Sequence, residues 1–409
     1  MLNTNKVLTY ALLAGITLLP WNATAINRTS FGLFMAKPAL SSVDDLVENL
    51  LAKSLLEITQ GKNQQALNTI DQLLLTTPNF NLANLVRGDL LMSQAQSLQG
   101  FGGSSNNPSA AVKDLQDEAR VRLERYLSKK NQDKVPDLLL APNAEQSHIM
   151  VVDTDKSRLY LYKNEHDRLV YVTDYYITVG KNGTDKQTEG DKRTPLGVYF
   201  VGKKLSQPLA DIYGDAAYPI NYPNEWDRLH NKKGSGIWLH GTPSNTYSRP
   251  PHASDGCVVL TKPDLKALDP ILQNGKTPLV IVSHLKWLEN ANELTNKDTL
   301  KQAVDQWLVD WNSQETDLYL SHYSHEFSSN GINYKQWAEH KTGVQAKKFK
   351  VEISLSNISM FSYPDTNKNL VVVNFTQDYS SPGINNKMQK RQYWILENNS
   401  WKIIYEGAA

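Results

Sequence analysis

A chain with one cysteine can place thiol chemistry at one position only, and here that position is Cys257. Seventeen positions upstream stands His240, in the run Ile237-Trp238-Leu239-His240-Gly241-Thr242. A thiolate attacks acyl carbons, whereas a thiol hardly does. Free cysteine has a pKa of ~8.5, and a neighbouring histidine lowers it to roughly 3.5–7.5. An imidazole set against the sulfur would therefore generate the nucleophile and later protonate a leaving amine. His240 ends an apolar strand-like run, so a fixed element would hold its ring. Gly256 lets backbone approach closely, and the Cys257 amide could help to stabilise an oxyanion. An isolated Cys/His pair also fits a buried inert thiol beside a core histidine satisfied by a carbonyl.

Three blocks of chain must position these groups. Over residues 41–130 the sequence reads as helical. Leu46, Leu50, Leu51, Leu55 and Ile58 keep helical spacing, Gly61 breaks it, and Ala66, Ile70, Leu73 and Leu74 resume it. Pro78-Asn79-Phe80 ends that pattern, and a third helix is expected from Leu82 through Leu98. Gly61, Ala66, Pro78 and Ala83 resemble one tetratricopeptide unit, and one unit cannot bury a solenoid core. A small helical domain or arm follows from this, with a Gly/Ser/Asn-rich loop at Gln99 to Ser109.

From residue 147 to 284 the period changes. Ile149 to Asp153, Arg158 to Tyr162, Tyr175 to Val179, Gly197 to Val201, Ile237 to His240 and Pro278 to Ser283 read as short strands between Gly and Pro turns. They predict a mixed, mainly β domain. Over 297–409 helical patterns at Ala303–Trp311, Leu318–Phe327 and Trp337–Lys347 precede strand-like runs at 350–355, 370–377, 391–397 and 401–405, which argues α+β. The expected fold class is thus multidomain: a helical arm, a mainly β domain and a C-terminal α+β domain.

The central constellation resembles the L,D-transpeptidase catalytic domain, also called the YkuD domain. That family pairs His-Gly, a loop of some fifteen residues, and Ser/Thr-x-Gly-Cys. Here His240-Gly241 and Ser254-Asp255-Gly256-Cys257 match, and Glu189 to Tyr199, with Thr194-Pro195-Leu196-Gly197, resembles the second signature. The resemblance covers about 147–284, a third of the chain. It implies cleavage, and rejoining, of peptidoglycan stem peptides, with Cys257 as nucleophile, His240 as general base and the Gly241 carbonyl orienting the imidazole. It implies no cofactor.

The family commonly has His before Gly-Cys, where this chain has Asp255, and an Arg or Asn two residues after the Cys, where it has Val259. Arg249 could instead supply a carboxylate clamp, with Ser254, Asp255 and Gly256 completing the substrate contacts. His252 is the second candidate base, in a Pro-Pro loop. Ser248-Arg249-Pro250-Pro251 leading into the Cys segment looks like the branch of cell-shape L,D-carboxypeptidases, which carries a C-terminal domain similar to nuclear transport factor 2. Trp307, Trp311, Tyr319, Phe327, Trp337 and Trp401 resemble that domain, whose pocket could hold a glycan or muropeptide.

Composition limits the other classes. Lys6, an apolar run Val7–Pro20 and Ala23-Thr24-Ala25 read as a signal peptide over 1–25, placing the mature chain in the periplasm with no stable membrane anchor. Cleavage there removes one base and no acid, leaving 42 of each, which gives no electrostatic case for nucleic acid. His322 and His325 keep helical spacing without a third ligand, so no metal is expected. A papain-like order is disfavoured, because there Cys precedes His.

Overall fold

The computed structural model describes residues 43–95, 100–102, 109–128, 134–165, 168–289, 294–347, 349–364, 366 and 368–409. The expected signal segment, and most of the expected loop at 99–109, lie outside the described residues.

Four helices open the chain: α1 (Val43–Thr59), α2 (Asn63–Thr76), α3 (Asn81–Ala95) and α4 (Ala110–Leu127). Gly61 takes φ +73°, so the α1–α2 turn uses a conformation that L side chains rarely adopt. Leu51, Ile70, Leu73, Phe80 and Leu82 are fully buried in one helical core, as the apolar spacing predicts. The third helix is described as far as Ala95, and its predicted end at Leu98 lies outside the described residues.

The central domain is one curled sheet with the order β4-β9-β1-β2-β3-β8-β6-β5, and β7 attached to β3. Its strands are β1 (His148–Asp153), β2 (Arg158–Glu165), β3 (Arg168–Gly180), β4 (Gly197–Phe200), β5 (Ala217–Pro219), β6 (Trp238–Gly241), β7 (His252–Ser254), β8 (Val258–Leu260) and β9 (Pro278–Val282). An antiparallel bridge between Val201 and Ile220 joins the outer strands and closes the curl. The strands β5 and β7 escape the sequence pattern because three residues are too few to show an alternation.

Side chains of β1 alternate between two cores. Met150 and Val152 face the inside of the curl with Leu239, Val258 and Leu260. Ile149 and Val151 face outward, yet are equally buried, because the C-terminal domain covers them with Phe361, Tyr363, Val372, Tyr393 and Ile395.

The C-terminal domain has three helices, Thr295–Ser313, Thr316–Ser321 and Tyr334–Gln345, against a four-stranded antiparallel meander, Glu352–Ser362, Leu370–Ser381, Ile384–Glu397 and Ser400–Ala408. Its middle helix stops at Ser321 rather than running to the predicted Phe327. Backbone bonds from Ile403 N–H to the His322 carbonyl (2.8 Å) and from Ser324 N–H to the Ile403 carbonyl (2.9 Å) draw the chain onto the last strand instead. Trp307 and Trp394 are fully buried, so these aromatics form the core.

One apolar layer therefore belongs to both the catalytic sheet and the C-terminal domain. Phe361→Ala should cost ~3–5 kcal/mol. Calorimetry should show one transition for the two domains, shifted as a whole; two resolved transitions with only one displaced would contradict the shared core.

Candidate active site

The site forms where two short strands run parallel. β6 and β8 pair with His240 opposite Val259 and Leu239 opposite Val258. Cys257 immediately precedes β8, two residues before Val259, the partner of His240. Cys257 and His240 are buried, at 8% and 2% exposure.

His240 is fixed from two sides. Its Nδ1 lies 2.8 Å from the Gly241 carbonyl oxygen. That oxygen only accepts, so Nδ1 carries the proton and Nε2 keeps its lone pair. The Tyr213 ring meets the imidazole edge-on at 5.2 Å and packs on Trp238 at 4.7 Å. Tyr213 belongs to the short turn Asp211–Tyr213, and no motif marks it in the sequence. Gly214, next in line, has φ +65°, and a Cβ there would come within 2.6 Å of the Thr242 carbonyl. Only glycine lets this turn press against the His-Gly pair.

Four hydrogen bonds build and brace the cysteine turn. The Ser254 hydroxyl donates to the Cys257 carbonyl at 2.7 Å and accepts from Gly256 N–H at 3.1 Å. Thr194, from the second signature, donates its hydroxyl to the Gly256 carbonyl at 3.0 Å and accepts from Gly180 N–H at 2.9 Å. A Cβ on Gly256, which has φ +121°, would meet the Arg193 carbonyl at 2.7 Å. Ser254 and Gly256, expected among the substrate contacts, thus shape the turn. Asp255 stands at the rim, 74% exposed, paired with Lys181 at 2.8 Å. His252 is exposed on β7, whose pairing is with β3 rather than β8.

The second signature is an ordered loop. Asp191 accepts from the Gln187, Thr188 and Arg193 amides and from Lys186, at 2.8–3.1 Å. Burial opposes its charge, but the Lys186 ammonium and those amides outweigh it and hold the carboxyl at about 2. Lys186 is 2% exposed and adds positive potential at Cys257.

Arg249 is half-buried, and its guanidinium donates to the Ala253 carbonyl. Its charge acts on both His240 and Cys257. Sequence reasoning placed it among substrate contacts, and the structure brings it to the same site.

The expected thiolate is not the resting form. Burial pushes the Cys257 thiol up to about 11, partly offset by the Trp238 N–H, while the Asp255 charge adds to the rise. Burial likewise pushes the His240 imidazole down to about 4, against the Gly241 hydrogen bond and with Arg249 assisting. Both partners are neutral between those limits. The thiol lies 3.4 Å from the Gly236 carbonyl, to which it donates.

Among the described residues no group of His, Cys, Asp and Glu could hold a metal ion, and no helix is long and apolar enough to cross a membrane. His322 is bonded instead to Asp310, at 2.6 Å.

Comparison with known proteins matches two domains of the chain to known families. Residues 147–281 match the L,D-transpeptidase catalytic domain, YkuD, and residues 299–407 match the Cds6 C-terminal NTF2-like domain. The chain thus combines an L,D-transpeptidase-family domain with an NTF2-like domain. In particular, it is similar to Bd1075 of Bdellovibrio bacteriovorus, with 29% identity and a TM-score of 0.58, covering 68% of this chain and 98% of that one. It also resembles the helical cell shape determining protein Pgp2 of Campylobacter jejuni, with 25% identity and a TM-score of 0.57 over 66% and 95% of the two chains. YafK of Escherichia coli K12, provisionally named an L,D-transpeptidase, is 28% identical over 120 residues. That match spans 29% of this chain and 43% of YafK, less than half the relative's length.

A neutral thiol predicts a particular pH dependence. Alkylation of Cys257 by iodoacetamide should quicken about tenfold per pH unit from 7 to 9, following the thiolate fraction. A plateau already reached at pH 6–7 would reveal a standing thiolate–imidazolium pair and contradict the neutral resting state.

Proposed function

We propose that this protein is a cysteine acyl-transferase of peptidoglycan stem peptides. The observation that supports the reading is the parallel registry that pairs the Nδ1-locked His240 with Val259, two residues after Cys257. Cys257 Sγ attacks the carbonyl of the bond between the L-centre of stem residue three and the D-residue at four. The thiol proton passes to His240 Nε2. The tetrahedral adduct collapses, the terminal D-alanine leaves as amine with that proton, and a thioester to Cys257 remains.

The second half-reaction returns the thiol. If the amine of a second stem attacks, with its proton passing to His240, the product is a 3–3 cross-link and the enzyme is an L,D-transpeptidase. If water attacks, it is an L,D-carboxypeptidase that leaves a tripeptide. The near-burial of the sulfur, at 8% exposure, favours the smaller acceptor. The likeness to a cell shape determining protein supports a role in cell shape, and a substrate in the wall sets the place of action outside the cytoplasm. A wall-binding scaffold without catalysis is the competing reading.

Purified tetrapeptide muropeptides decide among the three. Tripeptide monomers with free D-alanine mark the hydrolase, and 3–3 dimers mark the transferase. Cys257→Ala and His240→Gln should each lower turnover by at least about a thousandfold. Turnover that survives Cys257→Ala would sink the acyl-enzyme, and wall binding without any product would favour the scaffold.

A further inference from the structure

The chain that leaves β6, residues 242–251, meets the N-terminal helices and their connecting turn through Ser244, Thr246, Tyr247 and Ser248. The Tyr247 ring packs on Phe80 at 5.0 Å and is buried in the helical core itself. Tyr247 N–H donates to the Asn79 carbonyl at 3.1 Å. Asn79 and Asn81 amides donate to the Ser244 carbonyl and the Thr246 hydroxyl, both at 3.3 Å. Ser248 donates its hydroxyl to Glu118 on α4 at 2.6 Å, and both residues are buried.

Arg249 follows directly. Its carbonyl accepts from the Tyr176 hydroxyl at 2.8 Å and from the Thr178 hydroxyl at 2.9 Å, both on β3. The Tyr176 ring lies 3.7 Å from the Arg122 guanidinium of α4. Arg122 is 1% exposed and pairs with Glu118 at 3.0 Å. One buried ion pair on α4 thus grips the Arg249 segment twice, through Ser248 on one side and through Tyr176 on the other.

Buried ion pairs are weak sources of stability, because desolvation costs about as much as attraction returns. Placed at this seam, they fix a position. Arg249 is the side chain that needs fixing. Its guanidinium lies near Cys257, Asp255 and His240, and a long flexible side chain loses affinity for a carboxylate when its backbone wanders.

We propose that the N-terminal helices are part of the active site, with Ser248 and Tyr176 as positioning residues. Anchored by Glu118 and Arg122, they set the Arg249 guanidinium beside the reacting sulfur to receive a carboxylate of the incoming substrate. The proposal rests on Arg249 and Cys257 acting as described under the proposed function.

The test uses the full chain and reads the charge felt at the sulfur. Cys257 is alkylated with iodoacetate, an anion, and with neutral iodoacetamide, and the ratio of second-order rates is compared. Thiolate content cancels in that ratio. Arg249→Gln should lower it about fivefold or more, and Ser248→Ala and Tyr176→Phe about two- to fivefold, as expected for a displaced charge near a small anion. Ser248→Thr, which keeps the hydroxyl, should restore the wild-type ratio. On muropeptide substrate the same variants should raise KM more than they lower kcat. Tyr176→Phe retains the ring under Arg122, so it stays informative if Ser248→Ala fails to fold. The proposal is overturned if Ser248→Ala or Tyr176→Phe is folded and leaves the ratio unchanged, or if Arg249→Gln does so. A chain that follows these ratios yet turns over no muropeptide would retain the positioning role and lose the proposed activity.

Discussion

The registry of two strands of four and three residues, β6 and β8, carries the rest of this structure. Parallel pairing sets His240 opposite Val259, and Cys257 lies two residues before Val259, at the mouth of β8. A slip by one residue would undo that pairing. Such short strands have few ladder bonds to hold that registry, so neighbours hold it. β5 flanks β6, β3 flanks β8, and the Thr194 hydroxyl ties the end of β3 to the cysteine turn. The second signature is thereby a brace for the first.

Much of this was legible in the sequence, for physical reasons that differ by element. The helical arm showed because burial of one face imposes a visible period. The strands of the central domain showed where they have at least four residues. The Cys/His pair showed because a lone thiol and the two motifs in order are a strong signal, and the structure brings Arg249 to the same site. What stayed hidden depends on tertiary contacts. Tyr213 reaches the imidazole only through the packing of a turn at Gly214. The roles of Ser254 and Gly256 in shaping the turn follow from a carbonyl and an amide that no motif displays. The ionisation state was misread because sequence proximity says nothing of desolvation, which acts on both groups and in opposite directions.

The three domains meet around these strands rather than hanging in series. The sheet's outer face is buried against the C-terminal domain, and the loop between the catalytic residues against the helices. Arg391 of the C-terminal sheet pairs with Glu225 of the catalytic domain at 2.7 Å, extending that seam with a charged contact.

Burial of the Cys257 sulfur has a consequence beyond turnover. The ionised form of cysteine attacks peroxides and disulfides, and this chain has no second cysteine to rescue a sulfenic acid by forming a reversible bond. A sulfur kept protonated until a substrate arrives is a slow target for such oxidants. The same desolvation that keeps this thiol from being a ready nucleophile gives the chain's single sulfhydryl a longer chemical lifetime.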